Sequence, residues 1–274
     1  EAGLLTQGAV IALYNYMSQI LVELIKFANL IINITKALAC AKRIETVLQT
    51  KPQQIQTDTP AQPSGDAPAV EFRAATLVYS ANGSDAAARQ ESGGAAVQNI
   101  TLSVKRGEHI GIIGPTGSGK STLMSLITRF YDCTSGQVLV EGVPVEDYPA
   151  QQLTQRIALV PQRATLFTGT VRENLLWGRK DATDEELMQA LELACAKDFV
   201  MEKGGLDFTV TAGGRNLSGG QRQRLTIARA IVRRADIMIL DDSYSALDNL
   251  TDARVRSAVN SLGATVFTVS QRTR

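Results

Sequence analysis

The residues Gly114-Pro115-Thr116-Gly117-Ser118-Gly119-Lys120-Ser121-Thr122 match the pattern G-x-x-x-x-G-K-[ST] in full. Glycines in such a run let the main chain close around oxygen, so that successive N–H groups form an anion nest backed by the positive end of a following helix. The chemistry is nucleotide binding, with Lys120 reaching the β- and γ-phosphates and Ser121 ligating magnesium. Two carboxylates, Asp241 and Asp242, end the apolar run Ile237-Met238-Ile239-Leu240. The first is placed to hold hydrated magnesium, the second to stand near an attacking water. Gln162, in Pro161-Gln162, is a candidate magnesium and water contact. Leu217-Ser218-Gly219-Gly220-Gln221 directly precedes a helix-like run, so Ser218 and the glycines make a second phosphate-binding helix start. One cradle already serves one nucleotide, and a second γ-phosphate site on the same module points to a nucleotide held by a partner.

These groups need a scaffold of alternating strands and helices. The apolar run 110–113 predicts a buried strand before the cradle, and Leu123, Met124, Leu126 and Ile127 continue it as a helix. Strands are expected over 70–79, with Tyr79 ending the first, and over 97–104, 108–113, 156–160 and 237–242, with a short hairpin at 136–142 and a loop at 80–94. Thr183 and Glu186 form a capping box, and Leu187, Leu191 and Ala194 carry helical spacing into a segment that includes Cys195. The single histidine, His109, falls in a strand with no second ligand or catalytic partner, so it reads as structural.

Composition bounds the class. In 274 residues, 44% hydrophobic and 20% charged, there is enough apolar material for a sizeable core and two domains. A net charge of +1 without a basic run argues against a nucleic-acid platform. Cys40, Cys133 and Cys195 are too scattered for a disulfide framework or a metal site and read as reduced thiols. The chain opens on Glu1 without a signal-peptide pattern, and we read it as a fragment of a longer chain. Residues 4–48 contain no proline and predict one long helix. Residues 9–34 are long enough to span a bilayer, yet Asn15, Gln19, Glu23 and Lys26 interrupt them, which fits a helix with one face on other helices or a watery path. Lys36, Lys42 and Arg43 follow, consistent with a cytoplasmic exit, while a soluble amphipathic helix stays open on the residues alone. The proline-rich stretch 50–68 is a linker.

Taken in order, residues 114–122, Pro161-Gln162, residues 217–221, Leu240-Asp241-Asp242 and Ser245-Ala246-Leu247-Asp248 resemble an ATP-binding cassette (ABC) domain over residues 70–274. The helix before it is similar to the last transmembrane helix of an ABC exporter half-transporter. The resemblance implies an α/β fold, a P-loop NTPase cassette with a RecA-like core, an antiparallel β subdomain and a helical subdomain, preceded by one long transmembrane helix. The implied domains are residues 1–50 as last transmembrane helix and cytoplasmic extension, 51–68 as linker and 69–274 as a cassette that stops early. It implies ATP and Mg2+ as cofactors, with Ser121, Gln162 and Asp241 on the metal. Tyr79 would stack on adenine, Gln162 would be the Q-loop glutamine, and residues 245–248 the D-loop facing an opposing cassette. Location at the plasma membrane with the cassette on the cytoplasmic side follows, with a second half-transporter subunit and the lipid membrane as partners and no nucleic acid.

Three positions depart from the family pattern. Asp242 occupies the place of the catalytic glutamate with one methylene fewer, and a misplacement of ~1 Å can cost ~10²-fold in rate. Gln271 occupies the place of the switch histidine, where an amide can donate a hydrogen bond but carries no imidazolium charge. Ala212 stands where exporters have an acidic residue before the signature 217–221. Phosphate grip without full water activation resembles the degenerate-site subunit of a heterodimeric multidrug-type exporter, with residues 217–221 completing the partner's competent site. A homodimeric exporter with slow hydrolysis and a soluble ATP-gated cassette in a regulatory complex are the alternatives.

Overall fold

The computed structural model describes residues 6–49, 54, 57–79 and 94–271. The chain separates into two compact units, Glu1–Gln53 and Gln54–Arg274. In the first, helix α1 (Gln7–Gln49) runs 43 residues, about 65 Å at 1.5 Å per residue, roughly twice a bilayer core. It is long and apolar enough to cross a membrane. Some of its polar groups pair along the helix itself. Lys26 Nζ donates to Glu23 Oε1 at 2.8 Å, and the Thr35 hydroxyl donates back to the Ile31 carbonyl at 2.9 Å.

The second unit is built on two four-stranded sheets. Strands β1 (Val70–Leu77), β2 (Val97–Val104), β4 (Ser135–Val140) and β5 (Val143–Pro144) form an antiparallel sheet in the order β2-β1-β4-β5. Strands β3 (His109–Ile113), β6 (Ile157–Val160), β9 (Ile237–Asp241) and β10 (Thr265–Ser270) form a parallel sheet in the order β3-β10-β9-β6. The pair β7 (Gly169–Thr170) and β8 (Thr209–Val210) completes the strands described. The α-helices among the described residues of this unit are α2 (Lys120–Ile127), α3 (Ala150–Arg156), α4 (Val171–Leu176), α5 (Asp184–Leu193), α6 (Lys197–Glu202), α7 (Gly219–Val232) and α8 (Asn249–Asn260).

Strand β9 shows why its sequence is an unbroken apolar run. A parallel strand covered on both faces must be apolar at every position. Ile237 and Ile239 enter one core with Phe72, Met124, Leu126, Tyr148 and Phe267, between the two sheets and α2. Met238 and Leu240 enter a second with Leu175, Leu187, Leu191, Leu225 and Ile227, beneath α4, α5 and α7. Completely burying each such side chain contributes about 1.5–3 kcal/mol. Two polar side chains that enter these cores, Tyr148 and Glu141, are paired. The Tyr148 hydroxyl donates to the Val140 carbonyl at 2.9 Å, and burial pushes this phenol up to about 12. Glu141, 3% exposed, is held by Arg106 at 3.0 Å and by Arg156.

Several expectations are corrected. Strand β3 is not buried: it lies at the end of the described parallel sheet, and only Ile110 and Ile112 face the core while Ile113 is exposed. The first strand stops at Leu77, two residues before Tyr79. Cys195 lies past α5 rather than in it, because Ala194 caps the helix and Cys195 turns left-handed at φ 52°. Strand β9 ends at Asp241, and Asp242 leaves it at φ 44°. Most of the expected loop 80–94 lies outside the described residues. The described part of the proline-rich stretch is tied to the second unit. Gln152 exchanges hydrogen bonds with the Ala61 main chain, and Ser64 N–H donates to the Glu141 carbonyl.

Candidate functional site

A parallel sheet brings the carboxyl ends of all its strands to one edge, and that edge is where such folds bind ligands. Here the cradle follows β3, Asp241 ends β9, Gln271 follows β10 and Gln162 lies just past β6. The register sets Ser270 beside Ile113 and Val269 beside Asp241. As a result Tyr79, Thr116, Gly117, Gly119, Lys120, Ser121, Thr122, Gln162, Asp241, Asp242 and Gln271 line one cleft of about 300 Å³. Ala96 and Val269 also line it. Neither stood out in the sequence, because each contributes only a position next to the loop.

The cradle fits a phosphate chain. Helix α2 is capped by Gly119 at φ 85°, and no side chain caps its first turn, whereas Thr170, Thr183, Ser218 and Asp248 cap α4, α5, α7 and α8. The first N–H groups of α2 therefore stay open for an anion. Lys120 Nζ folds onto its own loop, donating to the carbonyls of Gly114 at 2.8 Å and Pro115 at 2.7 Å and to Ser118 Oγ at 3.3 Å. An ammonium stationed among loop carbonyls beside free N–H groups is a cation ready to meet phosphate oxygens. Ser121 and Asp241 supply a hydroxyl and a carboxylate in the same cleft. Among the described residues no cluster of three His, Cys, Asp or Glu side chains exists. That donor set suits magnesium, which binds through one or two protein oxygens and completes its shell with water and phosphate.

Gln162, Asp242, Gln271 and Thr116 are joined in the cleft by a chain of side-chain hydrogen bonds. Gln162 Nε2 donates to Asp242 Oδ2 at 3.3 Å and Gln271 Nε2 to the same oxygen at 3.5 Å. Because the carboxylate calls for a donor, the Gln271 amide turns its Oε1 away, and Thr116 Oγ1 donates to it at 3.1 Å. The Asp242 main chain is held as firmly, its N–H on the Val269 carbonyl at 3.0 Å and its carbonyl accepting from Ser245 Oγ at 2.8 Å. Asp242 therefore reaches the cleft on a short side chain from a fixed left-handed backbone, with one oxygen shared by two amides.

Residues 217–221 lie outside the lining of this cleft. Leu217 is buried and anchors the segment, while Ser218 is the cap of α7: its Oγ accepts from Gln221 N–H at 3.2 Å, and Gln221 Oε1 accepts from Ser218 N–H at 3.0 Å. Since Ser218 Oγ is an acceptor in this box, its proton remains available to an outside anion. The segment adjoins residues 245–248, for a Cβ on Gly220 would sit 3.1 Å from the Ala246 carbonyl oxygen. Asp248 caps α8, and the Thr251 N–H on its carboxylate holds that group below the usual range. Ala212 is exposed, ahead of Asn216, which ties residues 209 and 211 together.

Sequence reasoning missed Asn174, 2% exposed, which accepts from Phe167 N–H and donates to the Phe167 and Thr170 carbonyls, all at 2.9 Å, thereby closing the loop after Gln162. It also missed Tyr131, whose ring stands 5.0 Å from that of Tyr79 at 82°. The aromatic pair Phe130-Tyr131 just after a cradle helix was the available signal.

A phosphate cradle, a carboxylate at the end of the neighbouring but one strand and a capped second helix start define a P-loop nucleotide-binding cassette. The family model described as ABC transporter matches residues 97–245, and the chain belongs to that family, whose cassettes bind ATP. It is 41% identical to an uncharacterized ABC transporter ATP-binding protein of Mycobacterium bovis, over 99% of this chain and 46% of that protein. It is 44% identical to the ATP-dependent lipid A-core flippase of Chromobacterium violaceum, over 61% of this chain and 29% of that protein. The solved structure of a bacterial Atm1-family ABC exporter with ATP bound superposes with a TM-score of 0.74 at 27% identity, covering 87% of this chain and 40% of that one. The chain thus spans less than half the length of these relatives.

Proposed function

We propose that the chain is the nucleotide-binding part of an ATP-driven membrane exporter subunit that holds MgATP at a hydrolysis-impaired site and lends its signature segment to a partner's competent site. The observation that carries this is the state of Asp242: a short carboxylate on a left-handed backbone, with Oδ2 accepting from the amides of both Gln162 and Gln271. A general base must present a free lone pair within reach of a water held in line with the γ-phosphate. Two donors on one oxygen and the missing methylene both work against that. Grip is unaffected, since Lys120, Ser121 and the N–H groups of α2 are intact. Magnesium on Ser121, Asp241 and Gln162 would neutralise charge on the β- and γ-phosphates.

The placement of residues 217–221 outside the cleft supports use of the signature across a dimer interface, with residues 245–248 beside it. On this reading residues 1–50 are the last membrane helix and its cytoplasmic extension, 51–68 a linker and 69–274 the cassette, at the plasma membrane with the cassette in the cytoplasm. The apolar length of α1 and the likeness to a flippase and an exporter support that arrangement.

The test is ATP turnover by the intact transporter purified with its co-expressed partner. Asp242→Asn is expected to keep most of the turnover, and Asp242→Glu with Gln271→His to raise it, because the pair restores reach and an imidazole. If Asp242→Asn abolishes most of the turnover, Asp242 is a working base, and the reading gives way to a homodimeric exporter with slow hydrolysis.

A further inference from the structure

Among the described residues, Tyr79 is the one aromatic side chain in the cleft lining. Its backbone has left β1, so strand pairing does not hold it. What holds it is the turn that follows α2. Arg129 reverses the chain at φ 54°, and its Nε donates to Asp132 Oδ1 at 3.0 Å. The returning Thr134 grips the far end of β1: its N–H donates to the Thr76 carbonyl at 2.8 Å, and its Oγ1 accepts from Val78 N–H at 3.0 Å. On this brace Tyr131 meets the Tyr79 ring at 5.0 Å and 82°. The phenol end of Tyr79 is tied separately, to Thr122 Oγ1 at 2.9 Å.

We propose that Tyr131 is a positioning residue for base recognition, holding the Tyr79 ring as the platform on which the nucleobase stacks. The inference rests on the reading of Tyr79 as the adenine contact. An edge-to-face pair is a preferred aromatic arrangement, and it covers at most one face of Tyr79, leaving the other for a base. Both residues are about half exposed, at 48% and 46%, so neither is locked by core packing; the Thr122 hydroxyl holds the phenol end of Tyr79, and the Tyr131 ring is the contact on its ring. A ring already oriented loses less freedom when a base stacks on it, and that saving appears as affinity. It appears only for ligands that have a base, because the cradle 114–122 grips phosphates whatever Tyr131 does.

The experiment is isothermal titration calorimetry of the intact protein with MgATP and with magnesium tripolyphosphate, which has the charge of the phosphate chain and no base. Lys120→Ala, disabling this cradle, marks the part of each isotherm that belongs to it. Tyr131→Leu is expected to weaken MgATP about two- to tenfold, the fold-change equivalent of one aromatic pair, and to leave tripolyphosphate unchanged. Tyr131→Phe is expected to retain the original ratio, since the contact needs the ring and not the hydroxyl. Equal weakening of both ligands by Tyr131→Leu would mean a merely structural residue, and no change in either would mean no role; each overturns the inference. Tyr79→Leu separates the two layers. If it leaves the preference for ATP over tripolyphosphate intact, the reading of Tyr79 is wrong and the inference falls with it. If it removes that preference while Tyr131→Leu does not, the inference alone is refuted.

Discussion

Gly117 and Gly119 adopt nearly the same left-handed backbone, at φ 82° and 85°, in very different surroundings. A Cβ on Gly117 meets nothing within 4 Å, whereas one on Gly119 would lie 2.3 Å from the Ala96 carbonyl oxygen and 3.3 Å from Val97 Cγ2. Alanine at either position bears the left-handed penalty of about 1–2 kcal/mol. At Gly119 the new methyl sits roughly 1 Å inside ordinary contact with a backbone atom, and overpacking of that kind adds about 1–3 kcal/mol. Gly119→Ala should therefore cost about 2–5 kcal/mol and Gly117→Ala about 1–2. At roughly 2–4 °C per kcal/mol for a domain of this size, Gly119→Ala should melt about 2–12 °C below Gly117→Ala. The assay is calorimetric melting of the nucleotide-free protein, followed by ATP titration of each variant. Relief of the clash moves the Gly119 peptide and the first N–H groups of α2, so Gly119→Ala should also lose most of its stabilisation by ATP. Melting of the two variants within about 1 °C of each other would refute the reasoning, because the clash at Gly119 is what sets the expected gap.

Three further outcomes follow from the same geometry. Asn174→Ala strips partners from the Phe167 N–H and carbonyl in a partly buried place, a loss of about 1–3 kcal/mol, and should lower the melting temperature and speed proteolysis near Gln162; an unchanged melt would contradict the pairing. Ser218→Ala should cost about 0.5–2 kcal/mol as a lost helix cap. Ser218→Asp should restore that stability but not partner-site turnover, since a carboxylate caps a helix yet repels phosphate; full turnover in Ser218→Asp would count against the trans role. Burial, with the Glu146 and Asp132 carboxylates, pushes the Cys133 thiol up to about 11. Its reactive thiolate is then on the order of 10⁻³ or less at pH 7.5, so maleimide should modify exposed Cys40 first and Cys133 only as the pH is raised toward 10; fast labelling that Cys133→Ser abolishes would disprove this.

Chemistry carried by contiguous residues was legible in the chain. The cradle 114–122, the capping box at Thr183, the helix start at Ser218 and the apolar run 237–240 each depend on local spacing, because loop closure, cap bonds and strand burial act over a few residues. The same residues led to an ABC cassette, a class the family match bears out. What local spacing could not supply is anything set by strand order. Once β3, β10, β9 and β6 lie side by side, Gln271 comes within reach of both Thr116 and Asp242, 155 and 29 residues away in sequence. That arrangement alone decides which way the Gln271 amide turns and how many donors share Asp242 Oδ2. The exposure of β3, the left-handed exit of Asp242 and the brace of Tyr131 on Tyr79 are likewise products of neighbours distant in sequence. Residue types in order determined which groups this protein has to offer a nucleotide; the strand order of a parallel sheet determined which of those groups share one cleft and are already engaged with one another.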